Sequence, residues 1–184
     1  MSTKKRRSSN LIALIFFLLA AGFYLLNEKY PFAGKQEEDA YVPVVAVHDG
    51  DTVSVLINGN QEKIRLIGID APEMGQQPWG GEAKHFLDRM VNASGRKVRV
   101  ELDVEERDTY GRVLAYLWTT KGDMVNVMML RGGYAILSTF PPNVKHVQEL
   151  TEAQREARNM RINIWSGNGL EEKPADYRKE HPRK

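Results

Sequence analysis

The chain of 184 residues is 42% hydrophobic and 27% charged, a length and mixture that supports one buried core with an appendage and leaves no room for two full domains. It contains no cysteine, which excludes disulfides, thiolate zinc sites, iron–sulfur clusters, cysteine nucleophiles and the lipid-modified cysteine of a lipoprotein, so any metal must be held by oxygen or imidazole. The net charge of +2 rests on Lys4, Lys5, Arg6 and Arg7; without them 22 basic residues face 24 acidic ones, so a nucleic-acid partner has to be argued from placed residues rather than from a bulk basic field.

That basic run precedes an uncharged stretch over residues 11–26, LIALIFFLLAAGFYLL. As a helix it would span about 24 Å, slightly short of a bilayer core but workable with snorkelling flanks. A buried core helix is the plainer alternative, but it would show a polar face, and this stretch has none. Ala20, Ala21 and Gly22 offer a cleavage site, yet Phe23, Tyr24, Leu25 and Leu26 carry the apolar run past it. The expectation is therefore an uncleaved signal anchor over residues 1–27, cationic end inside and everything after it outside; a cleaved signal peptide and secretion is the alternative. Residues 28–40 are polar and without period, and read as a linker.

From Tyr41 strand signals follow closely: YVPVVAV, a turn at Asp49-Gly50, DTVSVLI, a turn at Asn58-Gly59, then QEKIRLIGI, which together predict a three-stranded meander. Residues 81–91 place Ala83, Phe86, Leu87, Met90 and Val91 on one helical face. KVRVELDV and RVLAYLW alternate as two more strands. A short helix over residues 124–130 stops at Gly132-Gly133, and a longer one aligns Val147, Leu150, Ala153, Ala157, Met160 and Ile164. The tail over residues 167–184 is polar and is expected to lack structure. Five strands interrupted and followed by three helices indicate an α+β domain over residues 41–166, with a partly open five-stranded barrel as the most economical closure.

Four clusters along this barrel carry candidate chemistry: Asp49-Gly50-Asp51-Thr52, Arg65, Asp70-Ala71-Pro72-Glu73 and Asp108-Thr109-Tyr110-Gly111-Arg112. Alone, the first is ordinary hairpin chemistry and the third an ordinary strand end. Arg65 is different, because it interrupts an apolar strand on the face opposite Ile64 and Leu66, and a charge there needs a partner. Together the clusters make a complete set for phosphodiester hydrolysis: aspartates for a hard divalent cation, planar guanidinium groups for phosphate oxygens, and a carboxylate three residues beyond a ligand to activate water. The four histidines, His48, His85, His146 and His181, are unpaired along the sequence and read as surface or structural residues. Trp118 and Trp165 read as core.

The runs VVAVHDGDTVSV, IRLIGIDAPE, RDTYGRVLAYLW and NIWS, in that order over residues 43 to about 166, closely resemble the staphylococcal nuclease, or thermonuclease, family. The resemblance implies an OB-fold barrel and a calcium-dependent nuclease acting on DNA, with RNA a second substrate. It implies Asp51 and Asp70 as calcium-ligating aspartates, a carbonyl ligand from Ala71, Glu73 as general base, Arg65 and Arg112 as phosphate-binding arginines, Tyr110 as a nucleotide contact and Asp49 as a supporting carboxylate. The founding member has threonine at Ala71, lysine at Thr109, and two tyrosines in the region of Ser138 and Phe140. The loop over residues 74–81 is also shorter than the founder's and lacks its lysines. Ala71 is expected to have little effect, since a carbonyl ligand does not need the side chain; Thr109 and the shorter loop remove positive charge near the cleft; Ser138 and Phe140 are expected to weaken mononucleotide binding, not catalysis. The expected protein is a monomer, tethered to the membrane by its N-terminal segment, with calcium as cofactor. The rival from another class is a non-catalytic OB-fold module that binds nucleic acid or protein.

Overall fold

A computed structural model describes residues 40–182. The expected anchor over residues 1–27 and nearly all of the linker lie outside the described residues. Among the described residues no helix is long and apolar enough to cross a membrane.

Strands β1 (Tyr41–Val47), β2 (Thr52–Ile57) and β3 (Asn60–Leu66) form the expected antiparallel meander. Asn58 and Gly59 close the β2–β3 hairpin, both at positive φ, as the tightest right-twisting turn requires. After a break, β5 (Lys97–Arg107) runs antiparallel to both β1 and β6 (Val113–Thr119), and β6 runs parallel to β3. The five strands close completely in the order β1-β2-β3-β6-β5. The sequence suggested a partly open barrel because alternation marks strands but not their edge partners. Closure comes from the length of β5, whose first residues pair with β1 while the strand continues along β6. Alternation sends Val53, Val55, Ile64, Leu66, Val98, Val113, Ala115 and Leu117 inside, all at most 6% exposed. Each of these valines, leucines and isoleucines contributes about 1.5 to 3 kcal/mol by leaving water.

The third strand signal, read to residue 69, is two strands. The chain turns at Gly68, and β4 (Gly68–Asp70) leaves the barrel to pair with β7 (Ile136–Ser138), a three-residue strand too short to show a period. This departure takes Asp70 out of the barrel sheet and pairs it with Ile136.

Helix α1 (Trp79–Ala93) buries the predicted stripe of Ala83, Leu87, Met90 and Val91, with Phe86 stacked on Tyr134 at a centroid distance of 4.2 Å. Helix α2 (Val125–Arg131) is short and largely buried. Helix α3 (Val147–Met160) stops four residues before Ile164, because Arg161 turns left-handed at φ 53°; Ile164 reaches the core from a separate 3₁₀ turn (Asn163–Trp165). Trp118 and Trp165 are half-buried rather than core, each with an arginine over its ring. The tail also departs from expectation, since a fourth helix, α4 (Pro174–Glu180), follows the 3₁₀ turn. Proline at its first position, Asp176 early and Arg178 and Lys179 late suit a helix of two turns. Such a segment is too short for hydrophobic periodicity to reveal.

One polar cluster ties β5, β6 and the start of α3 together. Glu101 accepts hydrogen bonds from Trp118 Nε1 (2.6 Å) and His146 Nε2 (3.0 Å) and pairs with Lys145 Nζ (2.6 Å). Burial alone would raise its pKa, but the three donors outweigh burial and bring the carboxyl down to about 2 from 4.5. A depressed carboxyl contributes stability above its unfolded value and loses it as pH falls through the folded one. Wild type should therefore lose this contribution between pH 4.5 and 2, and Glu101→Gln should be less stable at neutral pH with a flatter acid profile. Denaturant midpoints against pH check both.

Candidate active site

The β1–β2 turn is shaped by Asp49, whose Oδ1 accepts the Asp51 N–H at 3.1 Å. Gly50 is required by closeness: a Cβ there would lie 2.6 Å from Ala71 Cβ and 2.7 Å from Ala83 Cβ. The turn is thereby pressed against the loop after β4 and against α1. Asp51 Oδ1 accepts from Thr52 Oγ1 at 3.1 Å and Oδ2 from the Ala71 N–H at 2.9 Å, while its carbonyl extends the β2–β3 ladder by accepting the Leu66 N–H. Asp51 is 7% and Asp70 2% exposed.

Arg65 finds its partner where the strand pattern demanded one. Its Nη2 lies 3.1 Å from both Asp51 Oδ2 and Asp70 Oδ1, so those two oxygens are no more than about 6 Å apart. Its Nη1 donates to the carbonyls of Leu66 (2.9 Å) and Ile69 (2.8 Å). Three hydrogen bonds and the ion pair to Asp51 hold the head group, and none of them uses Nε–H. Arg65 thus holds the two aspartates and the departing strand in place, a stronger structural role than phosphate contact alone implies.

Burial pushes the Asp51 carboxyl up to about 6 from 3.8; Asp49 and Asp70 add to the rise, and Arg65 and the Ala71 N–H only partly offset it. The folded state therefore disfavours the ionised form, and stability falls as pH rises from 4 toward 6. Without divalent cation, Asp51→Asn should stabilise the protein by about 1 to 2 kcal/mol at pH 7. The gain should vanish by pH 4, which thermal melts in chelator will read.

Glu73 is half-buried. Its N–H donates to Gln76 Oε1 at 2.9 Å and its carbonyl accepts the Gln76 N–H at 2.8 Å, so the loop is folded on Gln76. On the neighbouring strand, Asp108 organises the β5–β6 turn by accepting from the Tyr110 N–H (3.0 Å), the Arg112 N–H (2.9 Å) and Arg112 Nε (2.7 Å). Because β3 and β6 pair with Arg65 opposite Leu114, Arg112 lies two residues along on the same outer face as Arg65. The Arg112 guanidinium is 5.6 Å from the ring of Tyr110, which is 85% exposed. Among the described residues Arg112 bonds to Asp108 but to neither Asp51 nor Asp70, and its two terminal nitrogens remain for an anion.

Asp51, Arg65, Asp70, Ala71 and Glu73 are brought together, and Arg112 and Tyr110 stand in the turn that leads into the adjacent strand β6. His48 is not part of the cluster; its Nε2 pairs with Ser54 Oγ at 2.7 Å across the hairpin. Two contributors escaped the sequence reading. Gln76 folds the Glu73 loop, and Arg178 of α4 pairs with both oxygens of Asp70 (3.0 Å each) and with Glu73 Oε1 (2.9 Å). No spacing rule links a tail arginine to an acid 108 positions earlier.

Among the described residues no three acidic or histidine side chains gather as metal ligands. The donor chemistry nonetheless fits a hard cation: two buried carboxylates meet at one guanidinium nitrogen, Ala71 is tied to Asp51 through its N–H, and Asp51 carries a charge that its surroundings under-compensate.

A family model described as "Staphylococcal nuclease homologue" matches residues 63–167. The chain is 36% identical over 171 residues to a thermonuclease of Staphylococcus hyicus, covering 88% of this chain and 99% of that one. It is 34% identical to a thermonuclease of Staphylococcus intermedius over 88% of this chain and 98% of that one. It is also 35% identical to the SPbeta prophage-derived endonuclease YokF of Bacillus subtilis (strain 168), over 66% of this chain and 42% of that one. Matched in sequence over most of its length, and built on a closed five-stranded barrel with two buried acids gathered on Arg65 of β3, the chain belongs to the staphylococcal nuclease family.

Proposed function

We propose that the chain is a calcium-dependent nuclease that hydrolyses phosphodiester bonds of DNA, and of RNA as a second substrate, on the outer side of a membrane. The observation that carries this reading is the pair of buried aspartates held to one guanidinium nitrogen, with Glu73 three residues beyond Asp70 and Arg112 on the adjoining strand. Asp51, Asp70 and the Ala71 carbonyl would hold the cation. When bound, calcium supplies the fixed positive charge that neutralises phosphate oxygens. Glu73 would accept a proton from the attacking water as the water oxygen bonds to phosphorus, while the P–O bond to the leaving sugar oxygen breaks and that oxygen takes a proton from solvent. The terminal nitrogens of Arg112 and the Nε–H of Arg65 donate to phosphate oxygens as negative charge accumulates. Tyr110 offers an exposed ring for a base or sugar to rest on.

Calcium suits this site by number of ligands. Two carboxylates and a carbonyl make a weak site of the extracellular kind, with dissociation constants of ~10⁻⁴ to 10⁻³ M, which fills outside a cell. Magnesium demands tighter octahedral geometry and dehydrates reluctantly, so it should substitute poorly. The basic flank and apolar run of residues 4–26 support a membrane tether, with secretion as the alternative. The test of substrate and place has two parts. DNA and RNA are each incubated with the protein in calcium or in magnesium after chelation, and cells are fractionated and treated with external protease. Cleavage with calcium only and loss of the domain to protease are expected. Equal turnover in magnesium, or a domain protected in intact cells, contradicts the proposal.

A further inference from the structure

Helix α4 sits on the carboxylates that the proposed chemistry needs. Arg178 meets Asp70 through two parallel bonds, Nη1 to Oδ1 and Nη2 to Oδ2, both 3.0 Å, and the same Nη1 donates to Glu73 Oε1 at 2.9 Å. One guanidinium therefore occupies both oxygens of a proposed cation ligand and one oxygen of the proposed base. A two-pronged arginine–carboxylate pair is the strongest charged hydrogen-bond arrangement available to a side chain. Asp70 is 2% exposed, so nothing in solvent competes for it while α4 is docked.

The placement is built rather than incidental, because two further contacts bring α4 and the residue pair before it to the same loop. Gln76, which folds the Glu73 turn, donates Nε2–H to the Glu172 carbonyl at 2.8 Å. Tyr177 packs so closely on Gly75 that no Cβ fits there. Pro174 is buried.

The docking is also weak enough to reverse. Pro174 is the one buried residue of α4, Tyr177 is half-buried, and the Arg178 side chain is 41% exposed. A seven-residue helix has no independent stability, and segments with so little buried apolar area open at small free-energy cost without unfolding the barrel.

We propose that α4 is an autoinhibitory plug, in which Arg178 competes with the divalent cation for Asp70 and holds Glu73 away from water until the cation displaces it. The inference rests on the nuclease reading above. Its consequence follows from competition: when the cation-competent state is only a fraction f of the population, the apparent dissociation constant rises by 1/f. A plug docked about nine-tenths of the time raises the calcium requirement roughly tenfold. The plug thereby sets a calcium threshold, keeping the enzyme idle where calcium is scarce.

The test compares full-length wild type with Arg178→Ala, Arg178→Lys and Lys179→Ala. Lys179 pairs with Asp176 within α4 and serves as the control. Calcium binding without DNA is read by calorimetry, hydrogen exchange over residues 174–180 with and without calcium, and DNA cleavage against free calcium. Arg178→Ala should bind calcium about tenfold more tightly and reach half-maximal cleavage at correspondingly lower calcium. Arg178→Lys, which keeps charge but not the paired geometry, should fall between, and Lys179→Ala should match wild type. Calcium should speed exchange in α4 of wild type. Equal calcium affinity in wild type and Arg178→Ala, or α4 exchange insensitive to calcium, overturns the plug while calcium-dependent cleavage leaves the nuclease reading standing. Tighter binding in Arg178→Ala with slower cleavage overturns it too, by making Arg178 part of the machinery. Absence of cleavage by every variant at any calcium overturns the nuclease reading and the plug with it.

Discussion

Glu73→Gln is expected to slow single-turnover DNA cleavage by about 10² to 10⁴-fold while DNA binding falls far less. The substitution is nearly isosteric and keeps a carbonyl that can accept a hydrogen bond, so what it removes is basicity. The backbone of Glu73 is held by Gln76 from both sides, at 2.9 and 2.8 Å, and neither bond involves the side chain that changes. The loop should therefore keep its shape, which circular dichroism and a calcium titration will confirm. Loss of the Arg178 partner loosens α4 rather than the site, so calcium affinity should hold or rise. A mutant that binds DNA normally and cleaves at the wild-type rate would remove Glu73 from the chemistry.

Arg112→Lys is expected to cost about 10² to 10³ in turnover, roughly 2.7 to 4 kcal/mol, the usual size for losing one charged donor to a developing anion. The structure gives the reason in geometry. Arg112 uses Nε to grip Asp108 at 2.7 Å, which fixes the plane of the guanidinium and leaves two terminal nitrogens for a phosphate. A lysine ammonium is a single point and cannot hold Asp108 and present a planar fork together. The loss should fall on turnover more than on substrate affinity. A solvated arginine that merely begins a strand would show wild-type turnover in the same variant.

How far the site was legible in the sequence depends on what kind of regularity each part obeys. Period-two alternation marked the five strands and singled out Arg65 as a charge on the face opposite Ile64 and Leu66; the structure supplies the partners it required. The three-four spacing found α1 and most of α3 but overran at Arg161, because a left-handed residue ends a helix without changing its hydrophobic stripe. Closure through β1 and β5 was invisible because edge pairing is a long-range choice. The β4–β7 pair and α4 were invisible because three- and seven-residue elements are shorter than the window in which periodicity shows. At the site, Asp49 with Asp51 followed from local turn chemistry, whereas the grip of Asp108 on Arg112 is seen only in the fold. Arg178 obeys no local rule. It sits in a polar tail whose composition reads as unstructured, and only the folded chain brings it to Asp70.

The account rests most directly on the rate of DNA cleavage by the protein as free calcium is raised from chelator to millimolar, for wild type beside Asp70→Asn. It predicts no cleavage in chelator, a saturable rise in wild type with half-saturation near ~10⁻⁴ to 10⁻³ M, and a requirement at least about tenfold higher in Asp70→Asn. Cleavage that survives chelation, or an Asp70→Asn curve lying on that of wild type, would contradict it.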